Sequence, residues 1–346
     1  MSTPASPAVS VVVATYNRTT SLRRLLQQLA AQSVKPEALE VVIVDDGSHE
    51  AVAPRLDARA LPYALRIVRQ ANSGAAAARH RGVVEATGEI LVIIDDDMQL
   101  PPHFLAAHLE HHHQGSRRVV IGRIRRDSTS PLPLHERFHA SLLDRFADDV
   151  RTGRAEPQGT DLFTGNVSMR RAHYLSVGGF DLSLRRSEDV ELGVRLQKAG
   201  LQFCFSEDAY TVHSSDHASQ PAWLETALTY GVYDSRIAQT HPESFINPWR
   251  HLCNAHPLSR PFLVASVIAP ALARYLVRLG AAVSNGVDRL GQERAAIAGI
   301  TVVYSMQYYR GVRREAGSLR AARSGLKRYR AERRASAAPL QPSVAG

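Results

Sequence analysis

Residues 90–97 run Ile90-Leu91-Val92-Ile93-Ile94-Asp95-Asp96-Asp97, an uninterrupted apolar stretch that ends in three carboxylates. A short run of Ile, Leu and Val without polar alternation is typical of a strand buried on both faces of a parallel sheet. The abrupt change to aspartate marks the carboxyl end of that strand. We therefore predict a strand over Ile90–Ile94 and an acidic turn directly after it.

The segments that precede this stretch repeat its arrangement. Strands and helices are predicted in alternation at Val9–Ala14 (strand), Leu22–Leu29 (helix), Glu40–Val44 (strand), 64–69 (strand) and Ala75–Glu85 (helix). Such alternation with short links indicates an α/β fold with a doubly wound, Rossmann-like sheet. Ligands of these sheets bind beyond the carboxyl ends of the strands, so Asp45-Asp46 and Asp95–Asp97 are expected to share one cleft.

The alternation of strands and helices is harder to recognise after residue 115. The predicted elements there are a strand at Val119–Arg123, helices at Glu136–Phe146 and Asp189–Ala199, and a strand at Leu201–Phe205. Beyond Pro248 the composition shifts to Ala, Leu, Val and Arg. We divide the chain into a flexible N-terminus (1–7), an α/β domain (8–245), a basic helical C-terminal region (246–334) and a disordered tail (335–346).

Charge and cysteine content limit the class of protein. From Arg250 onward there are sixteen Lys and Arg residues against four Asp and Glu, so the net charge of +9 resides entirely in the C-terminal quarter. The two cysteines, Cys204 and Cys253, exclude a disulfide framework and a cysteine-rich zinc site and favour a reducing compartment. With no signal peptide or spanning segment recognisable, we expect a cytoplasmic protein, with peripheral contact to the inner membrane face as a hypothesis.

The acidic turn has a chemical interpretation. Hard divalent cations such as Mg²⁺ and Mn²⁺ take oxygen ligands and commonly bridge carboxylates to substrate phosphates. Three adjacent carboxylates repel one another unless a cation or hydrogen-bond donors offset their charge. A solvated acidic turn is the alternative.

Several further motifs follow in a fixed order. They are Thr15-Tyr16-Asn17, Asp45-Asp46-Gly47-Ser48, Asn72-Ser73-Gly74 with Arg79, Asp95-Asp96-Asp97, Thr164-Gly165-Asn166 with Arg170, Gly178-Gly179-Phe180-Asp181 and Ser187–Gly193. On these motifs, residues 8–217 resemble glycosyltransferase family 2, and Ser187–Gly193 also resembles the carboxyl half of galactosyltransferase-type members. The resemblance implies a GT-A fold and an inverting transfer of a sugar from a nucleoside-diphosphate sugar, in polysaccharide or glycoconjugate biosynthesis.

The resemblance also implies roles for matching residues on the nucleotide side. Asp46 would bind the nucleotide base, on which Tyr16 would stack, with Thr15, Gly74 and Arg79 near the nucleotide. Asp97 would contact a Mn²⁺ or Mg²⁺ ion, and Asp96 the ribose or a water on the metal. For Tyr16 alone, a half-buried core aromatic is the alternative.

Glu188 and Asp189 match the family's acidic pair at the start of a helix. The resemblance makes Asp189 the general base that takes the proton of the acceptor hydroxyl and Glu188 a residue that orients base or acceptor. Simple capping of a helix N-terminus is the alternative. His213, or His217 in its place, would be a further metal ligand or phosphate contact, and a structural histidine is the alternative.

Two features fit the family pattern less well. His80 stands where relatives more often carry Asn, and residues 124–160, expected to face the acceptor, match no motif. The acceptor is therefore predicted only as a glycan or a lipid-linked glycan. The histidines of segment 103–113 include His108 and His112 at metal-pair spacing, but no third ligand is recognisable, and we predict a solvated helix face.

The basic C-terminal region allows three interpretations. Pro261–Val283 is predicted as one amphipathic helix with arginines on one side, which could lie on an anionic membrane. A helical appendage with solvated arginines is the second interpretation. Nucleic-acid binding ranks last because no recognisable motif supports it.

Two other functions remain as alternatives. A nucleotidyltransferase is disfavoured because Ala14–Asn17 stands where a Gly-rich phosphate loop is expected. A catalytically silent nucleotide-sugar-binding module is disfavoured by the joint presence of Asp96, Asp97, Glu188 and Asp189.

Overall fold

A computed structural model of the chain describes residues 7–127, 129, 131–214, 219–242 and 246–337. The chain divides into two compact units, residues 1–218 and 219–346. The sequence-based boundary near residue 245 lies later, because the helix Gln220–Thr240 belongs to the second unit. The predicted N-terminal segment and tail fall largely on residues 1–6 and 338–346, outside the described residues.

The first unit contains eight strands and six α-helices among its described residues. The strands are β1 (Val9–Thr15), β2 (Leu39–Asp45), β3 (Ala64–Arg69), β4 (Ile90–Asp95), β5 (Met98–Gln99), β6 (Arg118–Arg126), β7 (Asn166–Arg170) and β8 (Gln202–His213). The helices are α1 (Thr19–Ala30), α2 (Ala75–Glu85), α3 (Phe104–His113), α4 (Leu134–Arg151), α5 (Arg171–Ser176) and α6 (Glu188–Lys198). Short 3₁₀ turns occur at Pro36–Ala38, Ala53–Arg55, Ala58–Ala60 and Gly159–Asp161.

All eight strands form one mixed sheet in the order β3-β2-β1-β4-β7-β6-β8-β5. The first four in this order are parallel, whereas β7 runs antiparallel to both β4 and β6. This is the GT-A architecture that the family resemblance implied, and the predicted strands and helices of residues 9–94 are confirmed within three residues.

The apolar strands are buried on both faces, as their sequences predicted. In β1, Val9, Val11 and Val13 join the core that contains α1 and α3, while Val12 joins the opposite core, to which α2 and α6 contribute. Helix α2 approaches the sheet closely at Gly82, where an added Cβ would lie 2.5 Å from Val12 Cγ1. Because successive side chains of a strand point to opposite faces, apolar side chains of the same strand pack into the cores on both faces of the sheet.

The second unit is helical over its described residues. Its helices are α7 (Gln220–Thr240), α8 (Pro248–Asn254), α9 (Arg260–Ile268), α10 (Pro270–Arg289), α11 (Glu293–Glu315) and α12 (Leu319–Ala337). The single helix predicted over Pro261–Val283 is wrong, because the chain breaks at Ala269 and restarts with Pro270 at the first position of α10. Proline is tolerated at that position but not in a helix interior. No helix in the described ranges is long and apolar enough to cross a membrane.

Candidate active site

The carboxyl ends of three parallel strands lie level with one another. Thr15 at the end of β1 is paired in register with Asp45 of β2, and Ala14 is paired with Asp95 of β4. The two acidic segments that follow β2 and β4 therefore lie at one edge of the sheet. The prediction that both segments lie at one edge of the sheet is confirmed, and their common cleft stays a prediction.

Asp46 holds the loop that precedes α2. Its buried carboxylate accepts hydrogen bonds from the backbone N–H groups of Ser73 and Gly74, both at 2.9 Å, and from Gln70 Nε2 at 2.8 Å. Gly74 has φ +90°, a conformation that glycine adopts without strain. A carboxylate offers about four acceptor positions, so roughly one remains for a ligand.

The loop after β1 leaves an aromatic ring exposed. Asn17 has φ +58°, and its N–H donates to Ser48 Oγ at 2.9 Å while its Oδ1 accepts from the N–H of His49 at 2.8 Å. Asparagine is one of the few residues that adopt this left-handed conformation readily. Tyr16, held beside it, is 42% exposed, and its ring centroid lies 6.0 Å from that of His49.

The three aspartates after β4 have different partners. Asp95 pairs with Arg79 at 2.5 Å, whereas Asp96 accepts from Thr15 Oγ1 at 2.6 Å. Burial raises the pKa of Asp96 to about 6, although the bonds from Thr15 and Arg18 oppose that shift. Asp97 is also buried, which by itself would raise its pKa, but the hydrogen bond to His213 and the guanidinium of Arg18 outweigh burial and lower it.

Asp97 and His213 offer part of a cation site. His213 Nε2 lies 3.4 Å from Asp97 Oδ2, because β5 pairs with β8 at Met98 and His213. Asp97 Oδ1 is buried and has no hydrogen-bond partner, a lone acceptor that a cation would satisfy. His217, the alternative ligand, lies outside the described residues.

The protein ligands alone do not form a complete metal cage. Among residues with described side chains, no three His, Cys, Asp or Glu groups converge on one point. Mg²⁺ and Mn²⁺ sites that also bind a nucleotide usually take one or two carboxylates and complete the shell with phosphate oxygens and water. The residues present therefore fit a cation that binds together with a diphosphate.

Arg18 is the cleft residue that the sequence did not reveal. Its Nη1 lies 2.6 Å from Asp97 Oδ2 and 3.2 Å from Asp96 Oδ1, so its charge offsets the acidic motif. The signal was present in the sequence, because Arg18 directly follows Thr15-Tyr16-Asn17 at the same edge of the sheet.

Removing the Arg18 charge should expose the acidic motif to cations. We expect Arg18→Gln to bind Mn²⁺ about tenfold more tightly in the absence of nucleotide, because a charge-assisted hydrogen bond no longer competes for Asp97. Electron paramagnetic resonance of free Mn²⁺ measures this directly. Arg23→Gln is the matched control, since Arg23 lies on α1, which begins directly after Arg18, and donates to Arg55 O. Equal Mn²⁺ affinity in all three proteins would contradict the expectation.

Arg79 joins two acidic segments that are far apart in sequence. Its Nη2 contacts Asp95 Oδ1 at 2.5 Å, and its Nη1 contacts Glu188 Oε1 at 3.0 Å. Burial disfavours a charged guanidinium, yet the carboxylates of Asp95, Glu188 and Asp189 keep its pKa above the ordinary value. Arg79 therefore brings the start of α6 against the end of β4.

Asp189 occupies the first turn of α6 beside Glu188. Burial and the neighbouring charge of Glu188 raise the pKa of Asp189 to about 7, while the N–H of Val190 and Arg79 oppose the shift. The chain enters this helix through Ser187, which has φ +57°, a strained conformation for a non-glycine residue. No side chain caps α6 at Ser187. A carboxylate with a pKa near neutrality suits a general base.

His80 has a structural function in place of the expected asparagine. Its Nδ1 lies 2.9 Å from the hydroxyl oxygen of Tyr174, which accepts the N–H of Phe180 at 3.1 Å. An added Cβ on Gly179 would come within 2.7 Å of His80 Nδ1, so this turn requires glycine. His80 thus ties α2 to the Gly178-Gly179-Phe180 turn.

The solvated face predicted for the histidines of α3 is wrong at two positions. His108 is fully buried, with Nδ1 2.8 Å from Ser168 Oγ and Nε2 2.9 Å from Asn166 Oδ1, and His112 Nε2 lies 2.8 Å from the same Ser168 Oγ. Strand β7 carries polar side chains on the face that α3 covers, and the two imidazoles satisfy them. His108, His112, Ser168 and Asn166 therefore form a buried polar cluster between α3 and β7.

These buried imidazoles should make stability depend on pH. Burial lowers the pKa of His108 to about 3 and that of His112 to about 4, below the unfolded value of 6.5. The unfolded chain then binds more protons than the folded chain below pH 6.5, so the free energy of unfolding falls as pH falls. Between pH 7 and pH 5 we expect a loss of about 2 kcal/mol per histidine in urea titrations.

The contribution of His108 can be isolated. His108→Gln should weaken the pH dependence by roughly half while costing about 1–3 kcal/mol at pH 7 through imperfect hydrogen bonding. His113→Gln, at an exposed position of α3, should change neither the pH dependence nor the free energy of unfolding at pH 7. An unchanged pH slope in His108→Gln would refute the assignment.

Comparison with known proteins supports one family. The chain is 28% identical over 257 residues to the glycosyltransferase YfnE of Bacillus subtilis, covering 61% of this chain and 65% of that protein. It is also 28% identical over 265 residues to validoxylamine A glucosyltransferase of Streptomyces hygroscopicus subsp. limoneus, covering 68% and 57%. The pre-mycofactocin glycosyltransferase of Mycobacterium tuberculosis is 28% identical, covering 69% and 49%. The matches therefore span about half to two thirds of these relatives.

Solved structures share the fold. The mannosyltransferase PcManGT from Pyrobaculum calidifontis, in complex with GDP-Man and Mn²⁺, superposes with a TM-score of 0.57 at 20% identity, covering 86% of this chain and 87% of that one. S. aureus TarS 1–349 gives a TM-score of 0.51 at 18% identity, covering 94% and 91%. Residues 10–176, just under half of the chain, match the model of glycosyl transferase family 2, and the chain is similar to that family over this segment.

Proposed function

We propose that the protein is a metal-assisted, inverting glycosyltransferase that moves a hexosyl group from a nucleoside-diphosphate sugar to an acceptor hydroxyl. One observation carries the proposal. Arg79 contacts both Asp95 and Glu188, so the acidic motif expected to serve the diphosphate and the acidic pair expected to serve the acceptor belong to one cleft.

Asp189 is the general base in this proposal. The acceptor oxygen forms the new bond to the anomeric carbon as the bond to the diphosphate breaks on the opposite face, and the hydroxyl proton passes to the Asp189 carboxylate. One displacement inverts the anomeric configuration and needs one base, whereas retaining chemistry usually needs a second carboxylate as nucleophile. Glu188, held by Arg79, keeps the base and the acceptor oriented.

The cation would be held by Asp97 and His213. When bound, Mn²⁺ or Mg²⁺ supplies positive charge that offsets the charge developing on the departing diphosphate. Asp96, which accepts the Thr15 hydroxyl, would bind the ribose or a water on the metal. A neutral His213 is needed for ligation, so metal affinity should weaken at acidic pH.

The donor nucleotide would lie over the ends of β1 and β2. The remaining acceptor position of Asp46 suits an N–H of the base, and the exposed ring of Tyr16 suits stacking against it. Gly74 directly precedes the N-terminus of α2, in the loop that Asp46 holds. Arg79, on the same helix, provides a positive charge. The solved neighbours, bound to GDP-Man in one case and to UDP in another, support a nucleoside-diphosphate donor.

The acceptor in this proposal is a glycan or a lipid-linked glycan, and no nucleic-acid partner is proposed. The two alternative functions are a nucleotidyltransferase and a catalytically silent nucleotide-sugar-binding module. The loop Ala14–Asn17 still argues against the first, and the paired acidic segments argue against the second.

The decisive experiment measures release of nucleoside diphosphate from a panel of UDP-, GDP- and dTDP-sugars with Mn²⁺, Mg²⁺ or a chelator. We expect metal-dependent release from one donor, and a loss of about a hundredfold or more in Asp97→Ala because a carboxylate ligand is gone. Glu110→Ala, an exposed change on α3, is the control for an altered surface charge. Release that persists in chelator would refute metal assistance, and binding without turnover would favour the silent module.

A further inference from the structure

Helix α10 has two apolar faces, and only one of them is covered within its own unit. Ala273, Val277, Ala281 and Ser284 are buried against neighbouring helices. The contact with α11 is close, since an added Cβ on Gly280 would lie 2.8 Å from Val303 Cγ2. At 3.6 residues per turn, the opposite side of a helix packed in this way is ordinarily polar.

The opposite side of α10 is instead aliphatic and aromatic. Its exposed residues, with their exposed fractions, are Leu272 (55%), Tyr275 (68%), Leu279 (62%) and Val283 (56%). The same character continues before and after the helix at Leu258 (78%), Phe262 (46%), Ile268 (50%) and Leu290 (79%). We call the four exposed side chains of α10 the apolar face; the other four lie beside it in sequence. Exposed apolar surface of this extent marks an interaction site.

The charge beside the apolar face is mainly positive. Residues 244–287 contain no Asp or Glu, while Arg274 and Arg278 lie on the flank of α10 next to the exposed stripe. Burial lowers the pKa of Arg310 on α11, Arg274 and Arg278 lower it further, and Glu225 opposes the shift, so arginines outnumber carboxylates in this cluster. Such a cluster attracts anions.

The following helix adds to this charge. Helix α12, which packs against α9 in the same unit, carries seven Lys and Arg residues against the single carboxylate of Glu332 between positions 319 and 334. A helix of low hydrophobicity and high positive charge next to an amphipathic one is typical of proteins that bind anionic lipid surfaces.

We propose that the apolar face is a membrane-docking surface that lies flat in the interface of an anionic lipid bilayer. The apolar side chains enter the boundary between headgroups and acyl chains, and the arginines beside them pair with lipid phosphates. Helix α10, with 20 residues, is about 30 Å long, which provides a continuous contact in the plane of the membrane.

Charge complementarity distinguishes a lipid surface from a second copy of the chain. A two-fold contact through the apolar face would bring Arg274 and Arg278 of one copy towards the same groups of the other. Few carboxylates could offset this repulsion, since residues 244–287 contain none and α10 carries one, Asp288, in its last turn. An anionic bilayer supplies both the apolar phase and the counter-charge. The inference does not depend on the proposed catalytic activity.

Vesicle co-sedimentation of the full chain tests the proposal. We expect binding to phosphatidylcholine vesicles that contain about 30% phosphatidylglycerol, little binding to pure phosphatidylcholine, and weakening by salt. The double variant Leu272→Ser/Leu279→Ser should lower the partition coefficient by about tenfold or more, because two aliphatic side chains no longer enter the bilayer. Arg274→Gln/Arg278→Gln should selectively reduce the preference for anionic lipid.

Leu182→Ser is the matched control, since Leu182 is 53% exposed in the first unit. Thermal melts should be the same for all variants because no core side chain changes. Failure of the wild-type chain to bind anionic vesicles would overturn the proposal, as would undiminished binding by the leucine double variant. Sedimentation equilibrium provides a further test, because a dimer that the leucine double variant abolishes would assign the face to a second copy instead.

Discussion

Asp189→Asn is expected to lower turnover by about 10² to 10⁴ while leaving the affinity for nucleoside diphosphate unchanged. Asparagine has nearly the same shape and can still accept the N–H of Val190, which the aspartate accepts at 2.9 Å. It cannot take up the proton of an acceptor hydroxyl. The variant therefore removes the base and leaves the local structure in place.

The pH profile provides an independent signature of the same residue. Burial and the charge of Glu188 raise the pKa of Asp189 to about 7, so the base is increasingly protonated below neutrality. We expect the wild-type kcat to fall about tenfold for each pH unit on the acidic side of this value. The residual activity of Asp189→Asn should lack this acidic limb.

Single-turnover kinetics with the donor and an acceptor would give the turnover rate and its pH profile. Calorimetry with the nucleoside diphosphate would give the nucleotide affinity. Glu110→Gln makes the same chemical change at an exposed position of α3 and should leave kcat unaltered. A variant that loses nucleotide binding in parallel with turnover would assign Asp189 to binding. Unchanged turnover would remove it from the chemistry.

Sequence reasoning predicted well those parts of the molecule that depend on local patterns. The apolar runs of β1, β2 and β4 and the alanine-rich helix α2 have unambiguous periodicity, and the acidic residues at the strand ends were expected in one cleft. The roles that the family resemblance implied for Asp46 and Tyr16 stay predictions. These features follow from neighbours in sequence or from the general geometry of parallel sheets.

Contacts between distant segments were not predictable in this way. The helical pattern of residues 104–113 was visible, but whether His108 faces water or protein depends on Ser168 and Asn166, about sixty residues away. The ion pairs of Arg18 with the acidic motif span almost eighty residues and arise only when β1 and β4 align. Pro270 did contain local information about a break, which the amphipathic pattern around it concealed.

Arg79 illustrates the same limit and leads to the second large effect. The family resemblance implied that it lies near the nucleotide, and nothing in the sequence indicated that it joins two acidic segments. Arg79→Gln should lower the free energy of unfolding at pH 7 by about 3 kcal/mol, because Asp95 and Glu188 lose their shared counter-charge in a largely buried site. Arg79→Lys should recover only part of the loss, since one ammonium group cannot form the same fork between two carboxylates.

Urea unfolding measures these differences, and Arg81→Gln provides the matched control on the same helix. Arg81 pairs with Glu85 at the exposed surface, so its loss should cost less than about 0.5 kcal/mol. A double-mutant cycle separates lost charge from lost packing. If the cost of Arg79→Gln comes from unpaired carboxylates, it shrinks in the Asp95→Asn/Glu188→Gln background; if it comes from packing, the difference stays constant. A constant difference would mean that Arg79 fills space between β4 and α6, and the electrostatic link between the two acidic segments would no longer support a common catalytic cleft.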